Sequence, residues 1–173
     1  MNKLAMRLCG DPVLREIAAP VAEITPEILA ALDGMVAMLE EQNGVGLAAP
    51  QVGLSQRFLV MKEVRSREEE PVATLRMINP VVAARSEAVA VIEEGCLSVL
   101  GPDGPVYADV ARPASVIVRW TDERGRPQQR EFSGFAARIA QHEIDHLDGV
   151  LFIDYLSSAK REMLMNKVKK RRV

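Results

Sequence analysis

Gln141-His142-Glu143-Ile144-Asp145-His146 is the stretch on which the reading of this chain turns. It is an HExxH sequence and holds both histidines of the chain, and Phe135, Ala136, Ile139, Ala140, Ile144 and Leu147 around it recur at helical spacing. Residues four apart on a helix lie one turn above each other, so His142 and His146 present ring nitrogens to one point. The wide apolar stripe means that the helix packs inside the molecule, where polar side chains need partners. Metal ligation would supply them. Glu143 is then placed to take a proton from water activated by the metal and to pass it to a leaving group, which makes the pattern hydrolytic. The competing reading is an amphipathic helix carrying these residues on a solvated face, since HExxH is a short pattern.

Outward from this helix, Ser133 stands at its cap position and Gly149 where it would stop. Upstream lies Glu93-Glu94-Gly95-Cys96-Leu97-Ser98. A free cysteine is often a small buried hydrophobe. A catalytic metal site, however, needs three protein ligands and one open position, and Cys96 with His142 and His146 makes a workable set. Gly95 would let the chain bend towards the helix. Val99 to Ala111, with two glycines and two prolines, reads as a loop bordering the cleft. Ser115 to Trp120 and Gln128 to Phe132 flank Asp122-Glu123-Arg124-Gly125, a hairpin signal.

Further back, Arg57 to Val64, Thr74 to Ile78, Val81 to Ala84 and Ala88 to Ile92 read as short strands, with a charged surface loop at Arg65 to Glu70. Gly44-Val45-Gly46-Leu47-Ala48-Ala49-Pro50-Gln51 fits neither a P-loop nor a dinucleotide fingerprint. It is either a tight turn or a place where backbone approaches another chain closely. Thr25-Pro26-Glu27 starts a helix, with the hydroxyl as cap, and Ile28, Leu29, Leu32, Met35, Val36 and Leu39 give it an apolar face. Residues 1 to 24 read as irregular chain with a helical turn at Val13 to Glu16. A last helix from about Ser157 carries Lys160, Arg161, Lys167, Lys169, Lys170, Arg171 and Arg172 against Glu162 alone. Such a run is either a solvated end or a surface for a polyanion.

The fold class that follows is α+β: short mixed or antiparallel strands packed around the central HExxH helix, with an N-terminal helix and a C-terminal helix. The 173 residues, 48% of them apolar, suit one domain spanning 1–173. Two cysteines make no disulfide framework, so the expected compartment is reducing and cytoplasmic. No apolar run is long enough to cross a bilayer, and a formal charge of −2 points to no DNA partner.

Three of these stretches, Gly44 to Gln51, Glu94 to Ser98 and Gln141 to His146, together resemble the three signature motifs of the peptide deformylase family. The likeness extends to Asp11-Pro12-Val13-Leu14-Arg15, Ile78-Asn79-Pro80 and Leu151-Phe152-Ile153-Asp154-Tyr155-Leu156, nearly the whole chain. It implies a metal-dependent hydrolase that removes the formyl group from the N-terminal formylmethionine of new polypeptides, releasing formate. The resemblance puts the metal ligands on Cys96, His142 and His146 and the general base and acid on Glu143. Gln51 and the backbone amide of Leu97 become donors to the formyl oxygen. The metal would be one divalent ion per chain, Fe2+ in cells, with Zn2+, Ni2+ or Co2+ able to replace it.

For substrate binding, the resemblance gives Gly46 a strand-like bond to the peptide backbone. Val45, Ile92, Phe135, Ile139 and the His142 ring are candidates for the methionine pocket, and Arg112 for a substrate-side arginine. The partners implied are N-formylmethionyl nascent peptides and, through the basic C-terminal helix, the ribosome surface. Two departures concern the cleft wall: Leu100 stands where many members have proline, and Val99 to Ala111 is a few residues longer than in short relatives. Two rival readings remain: an HExxH metallopeptidase with a carboxylate as third ligand, for which Glu162 is the nearest downstream residue, and a ribosome-binding factor without catalysis.

Overall fold

A computed structural model describes residues 4–64 and 71–170. The charged stretch Arg65 to Glu70 lies outside them, as do Arg171 and Arg172 of the basic tail.

The chain enters as irregular structure with a 3-10 turn at Pro12–Arg15, then forms helix α1, Pro26–Glu41. Pro26 sits at the first helical position, but the Thr25 hydroxyl makes no capping hydrogen bond. Next come β1, Gly46–Ala48, and β2, Phe58–Glu63. The two expected short strands that follow are one, β3, Ala73–Arg85. It runs through Pro80 because its pairing is bulged there: register shifts between Ile78 and Val81, and Asn79 has φ 52°. Asn79 is held in that left-handed conformation by accepting from Val21 N at 2.8 Å and donating to Val21 O at 2.8 Å.

The expected loop at Val99 to Ala111 is a β-hairpin. Its strands are β4, Val89–Gly101, and β5, Gly104–Pro113, and they turn at Pro102 and Asp103 with Gly104 at φ 119°. Proline fixes the first corner, and glycine takes a backbone angle that other residues rarely adopt. Then follow β6, Ser115–Thr121, β7, Pro127–Ser133, the HExxH helix α2, Gly134–Leu147, and α3, Ser158–Lys169. Ser133 occupies the cap position of α2 without a side-chain capping bond. Ser157 does cap α3, accepting from Lys160 N.

All paired strands are antiparallel. Five make a sheet in the order β1-β2-β3-β6-β7, and β4 and β5 stand apart as a pair. Alternation along β2 distributes the core: Phe58 and Val60 pack with Leu32, Met35 and Leu39 of α1, while Leu59 and Met61 pack with Ile139, Ile144 and Leu147 of α2. The sheet is therefore covered by one helix on each face. Each fully buried apolar side chain of this kind contributes about 1.5–3 kcal/mol. Ten of the fourteen residues of α2 are buried, so the helix is held from all sides and its side chains have fixed positions. A third cluster joins Cys96, Val99 and Val110 of the hairpin to Phe152, Ile153 and Leu164, which ties the second motif to the C-terminal segment.

Candidate metal centre and active-site cleft

Strand β4 and helix α2 bring the centre together. Alternate residues of a strand face one side, so Glu94, Cys96 and Ser98 all turn inward and are buried. His142 and His146 meet them from α2. Cys96 Sγ lies 3.2 Å from His146 Nε2, and the thiol and a nitrogen of each ring all fall within 4.8 Å of one another. Glu162, on an exposed face of α3, is not among them.

This donor set fits a divalent first-row ion. Thiolate and imidazole are both ligands for such ions, and three protein ligands leave a position open, as catalytic sites do. Two buried polar atoms, Glu143 Oε2 and His146 Nδ1, have no hydrogen-bond partner among the described residues. Such atoms are uncommon, and the Glu143 oxygen, beside the thiol and the two rings, fits a centre that takes up a further group.

Around these three donors lies a ring of ionic hydrogen bonds. Glu94 Oε2 is 2.9 Å from His142 Nδ1, which leaves the other ring nitrogen for the metal side. Glu94 also accepts from Arg112 Nε at 2.6 Å and Nη2 at 3.0 Å, and from Arg138 Nη1 at 2.7 Å. Arg112 Nη1 and the Tyr155 hydroxyl both donate to Asp145 Oδ2, at 2.6 and 2.9 Å. Burial alone would raise the Glu94 carboxyl, but the bonds from His142 and Arg112 outweigh it and hold this group well below the usual carboxylate range. Burial likewise favours a neutral His142 ring, and its bonds to Cys96 and Glu94 overcome this and shift it upward. His146, with burial dominant, is shifted downward. Glu143 differs from Glu94 because nothing donates to its buried Oε2: burial pushes it up to about 7, only partly offset by His142.

Gln51 is locked beside the thiol. Its Oε1 accepts from Ala48 N at 2.8 Å, and its Nε2 donates to Ser98 Oγ at 3.1 Å and lies 3.6 Å from Cys96 Sγ. A cleft of about 280 Å³ opens over this group, lined by Val45, Gly46, Gln51, Leu97, Phe135, Ile139, His142 and Glu143. Gly46 is needed as glycine because a Cβ there would collide with the Glu143 carboxylate. Gly46→Ala should therefore displace the Glu143 carboxyl, which with Glu143 as the catalytic base lowers kcat by about 100-fold, the scale of a displacement near 1 Å in a reacting group, with the fold intact by circular dichroism. Gly95 serves less as a bend than as a seat for the Tyr107 ring, which a Cβ would strike.

Two expected substrate residues lie elsewhere. Arg112 is buried, with its guanidinium committed to Glu94 and Asp145, so it braces His142 through Glu94 and does not face the cleft. Ile92 pairs with Val110 further along the hairpin and does not line the cleft. Conversely, Glu94, Arg138 and Asp145 emerge as parts of the site that sequence reading gave no role. The two-residue spacing of Glu94 and Cys96 on one strand was the signal for the first.

A thiol and two imidazoles at the base of a cleft, with a buried carboxyl beside them, define a metal-dependent hydrolase. The comparisons with known proteins narrow the class. The family model of polypeptide deformylase matches residues 4–162. A peptide deformylase of Rhizobium meliloti (strain 1021) is 44% identical over 160 residues, covering 92% of this chain and 88% of the relative. The crystal structure of a peptide deformylase from Legionella pneumophila aligns with TM-score 0.86 at 35% identity, over 96% of this chain and 94% of that one. A Met-Ala-Ser-bound class I type b peptide deformylase from Acinetobacter baumannii aligns with TM-score 0.80 at 36% identity, over 88% and 98%. The chain belongs to the polypeptide deformylase family. It is a hydrolase that removes the N-formyl group from newly made polypeptides.

Proposed function

We propose that Cys96, His142 and His146 hold the metal of this reaction and that Glu143 is its general base and acid. The observation that carries the assignment is the Glu143 oxygen left without a partner in a buried site beside three converging ligand atoms. When bound, a divalent ion supplies Lewis acidity, easing the ionisation of water and polarising the formyl carbonyl. Glu143 takes the proton of the attacking water and gives it to the peptide nitrogen as the C–N bond breaks, leaving formate and a free amine. Negative charge grows on the formyl oxygen during the attack. Gln51 Nε2, fixed beside the thiol, and the backbone amide of Leu97 are the donors that meet it.

The substrate enters along β1. That strand is the sheet's edge, paired on one side with β2, and an edge strand can accept an extended peptide, with Gly46 bonding its backbone. Val45, Phe135, Ile139 and the His142 ring form the pocket for the methionine side chain. The Met-Ala-Ser bound in the Acinetobacter baumannii structure supports a cleft suited to such a chain end. Val45→Phe is expected to raise KM for formyl-Met peptides about tenfold, the scale of a lost side-chain contact, with metal content unchanged. Equal kinetics would remove Val45 from the pocket.

The ion in cells is Fe2+, with Zn2+, Ni2+ or Co2+ able to replace it in purified protein, because a mixed thiolate and imidazole set suits several of these metals. The chain acts as one domain in the cytoplasm; in keeping with this, no helix among the described residues is long and apolar enough to cross a membrane. Exposed Lys160, Lys167, Lys169 and Lys170 on and just beyond α3 are the groups for contact with the ribosome surface. Arg161 is instead engaged with Asp154.

The deciding experiment is formate release from formyl-Met-Ala and acetyl-Met-Ala by protein loaded anaerobically with Fe2+ or Ni2+. Formate from the formyl peptide and no cleavage of the acetyl one is the expected result. Failure to cleave either peptide would overturn the substrate assignment.

A further inference from the structure

A second groove, of about 520 Å³, runs between the tip of the β4–β5 hairpin and α3. Pro105 and Tyr107 line both this groove and the catalytic cleft, so the two hollows adjoin across them. Tyr107 is 52% exposed and Met163, on the α3 wall, 59% exposed. A single exposed apolar side chain carries no message, but two of them lining one groove beside an active site form a patch suited to a ligand. The charges are of mixed sign: Asp109 stands on the hairpin wall, and Lys160 and Lys167 on the helix wall. That pattern suits a chain of mixed charge. The family's substrate is a polypeptide, whose residues beyond the first few must leave the cleft over some part of its rim.

We infer that this groove binds the downstream segment of the substrate, an extended peptide whose apolar side chains rest on Tyr107 and Met163 between walls of opposite charge. The inference rests on the catalytic reading above.

The test is the dependence of KM on peptide length for the metal-loaded enzyme, using formyl-Met-Ala and formyl-Met peptides of four, six and eight residues with leucine at alternate later positions. KM should fall about tenfold from the shortest to the longest, the net of burying one or two side chains against the ordering of the peptide, with kcat little changed. In Met163→Asp the ratio of short to long KM should drop to about one. Lys160→Glu together with Lys167→Glu should shift preference towards peptides with later basic residues. Equal KM at all lengths in the parent, or a length effect kept in Met163→Asp, overturns the groove and leaves the catalytic reading standing. No hydrolysis of any peptide, formyl-Met-Ala included, overturns the catalytic reading and this inference with it.

Discussion

Glu143→Gln should lower kcat for formyl-Met-Ala by about 10³- to 10⁴-fold, the upper range for loss of a general acid–base group, with KM within a few-fold of the parent. The amide keeps the shape of the carboxyl but cannot take a proton from water and return it to the leaving amine. The same substitution should make the metal-free protein more stable, and the sign follows from the environment. Burial raises the Glu143 carboxyl from its ordinary value of 4.5 to about 7. Between these values the unfolded chain ionises while the folded one does not, so this residue costs stability as pH rises through that window, and the cost is constant above it. Removing the charge should therefore give a gain in denaturant midpoint that grows from about pH 4.5 to 7 and then levels. A catalytic group held against the preference of the fold gives this combination of lost rate and gained stability. Full activity in Glu143→Gln would instead assign the proton transfer to another residue.

The central helix and the convergence of its two histidines were legible because each depends on local spacing. HExxH puts two rings on one helix face whatever surrounds it, and α2 is found where the apolar stripe placed it. Proline and glycine hid the rest. Pro80 split β3 in the sequence reading, since only the tertiary bonds of Asn79 to Val21 show that the strand continues through a bulge. Pro102 and Gly104 made a hairpin look like a loop, although proline, aspartate and glycine in succession are a turn signal in their own right. The ring around Glu94 was invisible for another reason. Arg112 and Arg138 reach it from 18 and 44 residues away in the chain, and no periodicity records that meeting. Arg112 could be noticed as an arginine near the cleft, but whether it faced substrate or a buried carboxylate depended on how the hairpin packs against α2.

Cys96→Ala should weaken metal binding by more than about 100-fold, measured by competition of Zn2+- or Co2+-loaded protein with a chelator, and should abolish formate release. The scale follows from comparing positions. Loss of a partner that only orients a ligand costs about 10- to 100-fold in metal affinity, and Glu94→Gln, which weakens the hold on His142 Nδ1, belongs in that range. In the proposed assignment Cys96 supplies a ligand atom itself: its sulfur is 3.2 Å from His146 Nε2 and completes the set of three. Removing it leaves two imidazoles, too few for a catalytic site of the usual kind. Alanine at this position also deletes a buried, 4% exposed side chain from the cluster that joins the hairpin to Phe152 and Leu164, so the thermal midpoint of the metal-free variant must be measured beside that of the parent. Cobalt makes the comparison direct, because thiolate ligation gives an intense near-ultraviolet band that should vanish in Cys96→Ala and persist in Glu94→Gln. The rival with a carboxylate as third ligand makes the opposite forecast: Glu162→Ala loses the ion and Cys96→Ala keeps it. Glu162 is exposed on α3, so its substitution should leave metal content unchanged, and retention of the ion by Cys96→Ala would overturn the Cys-His-His assignment.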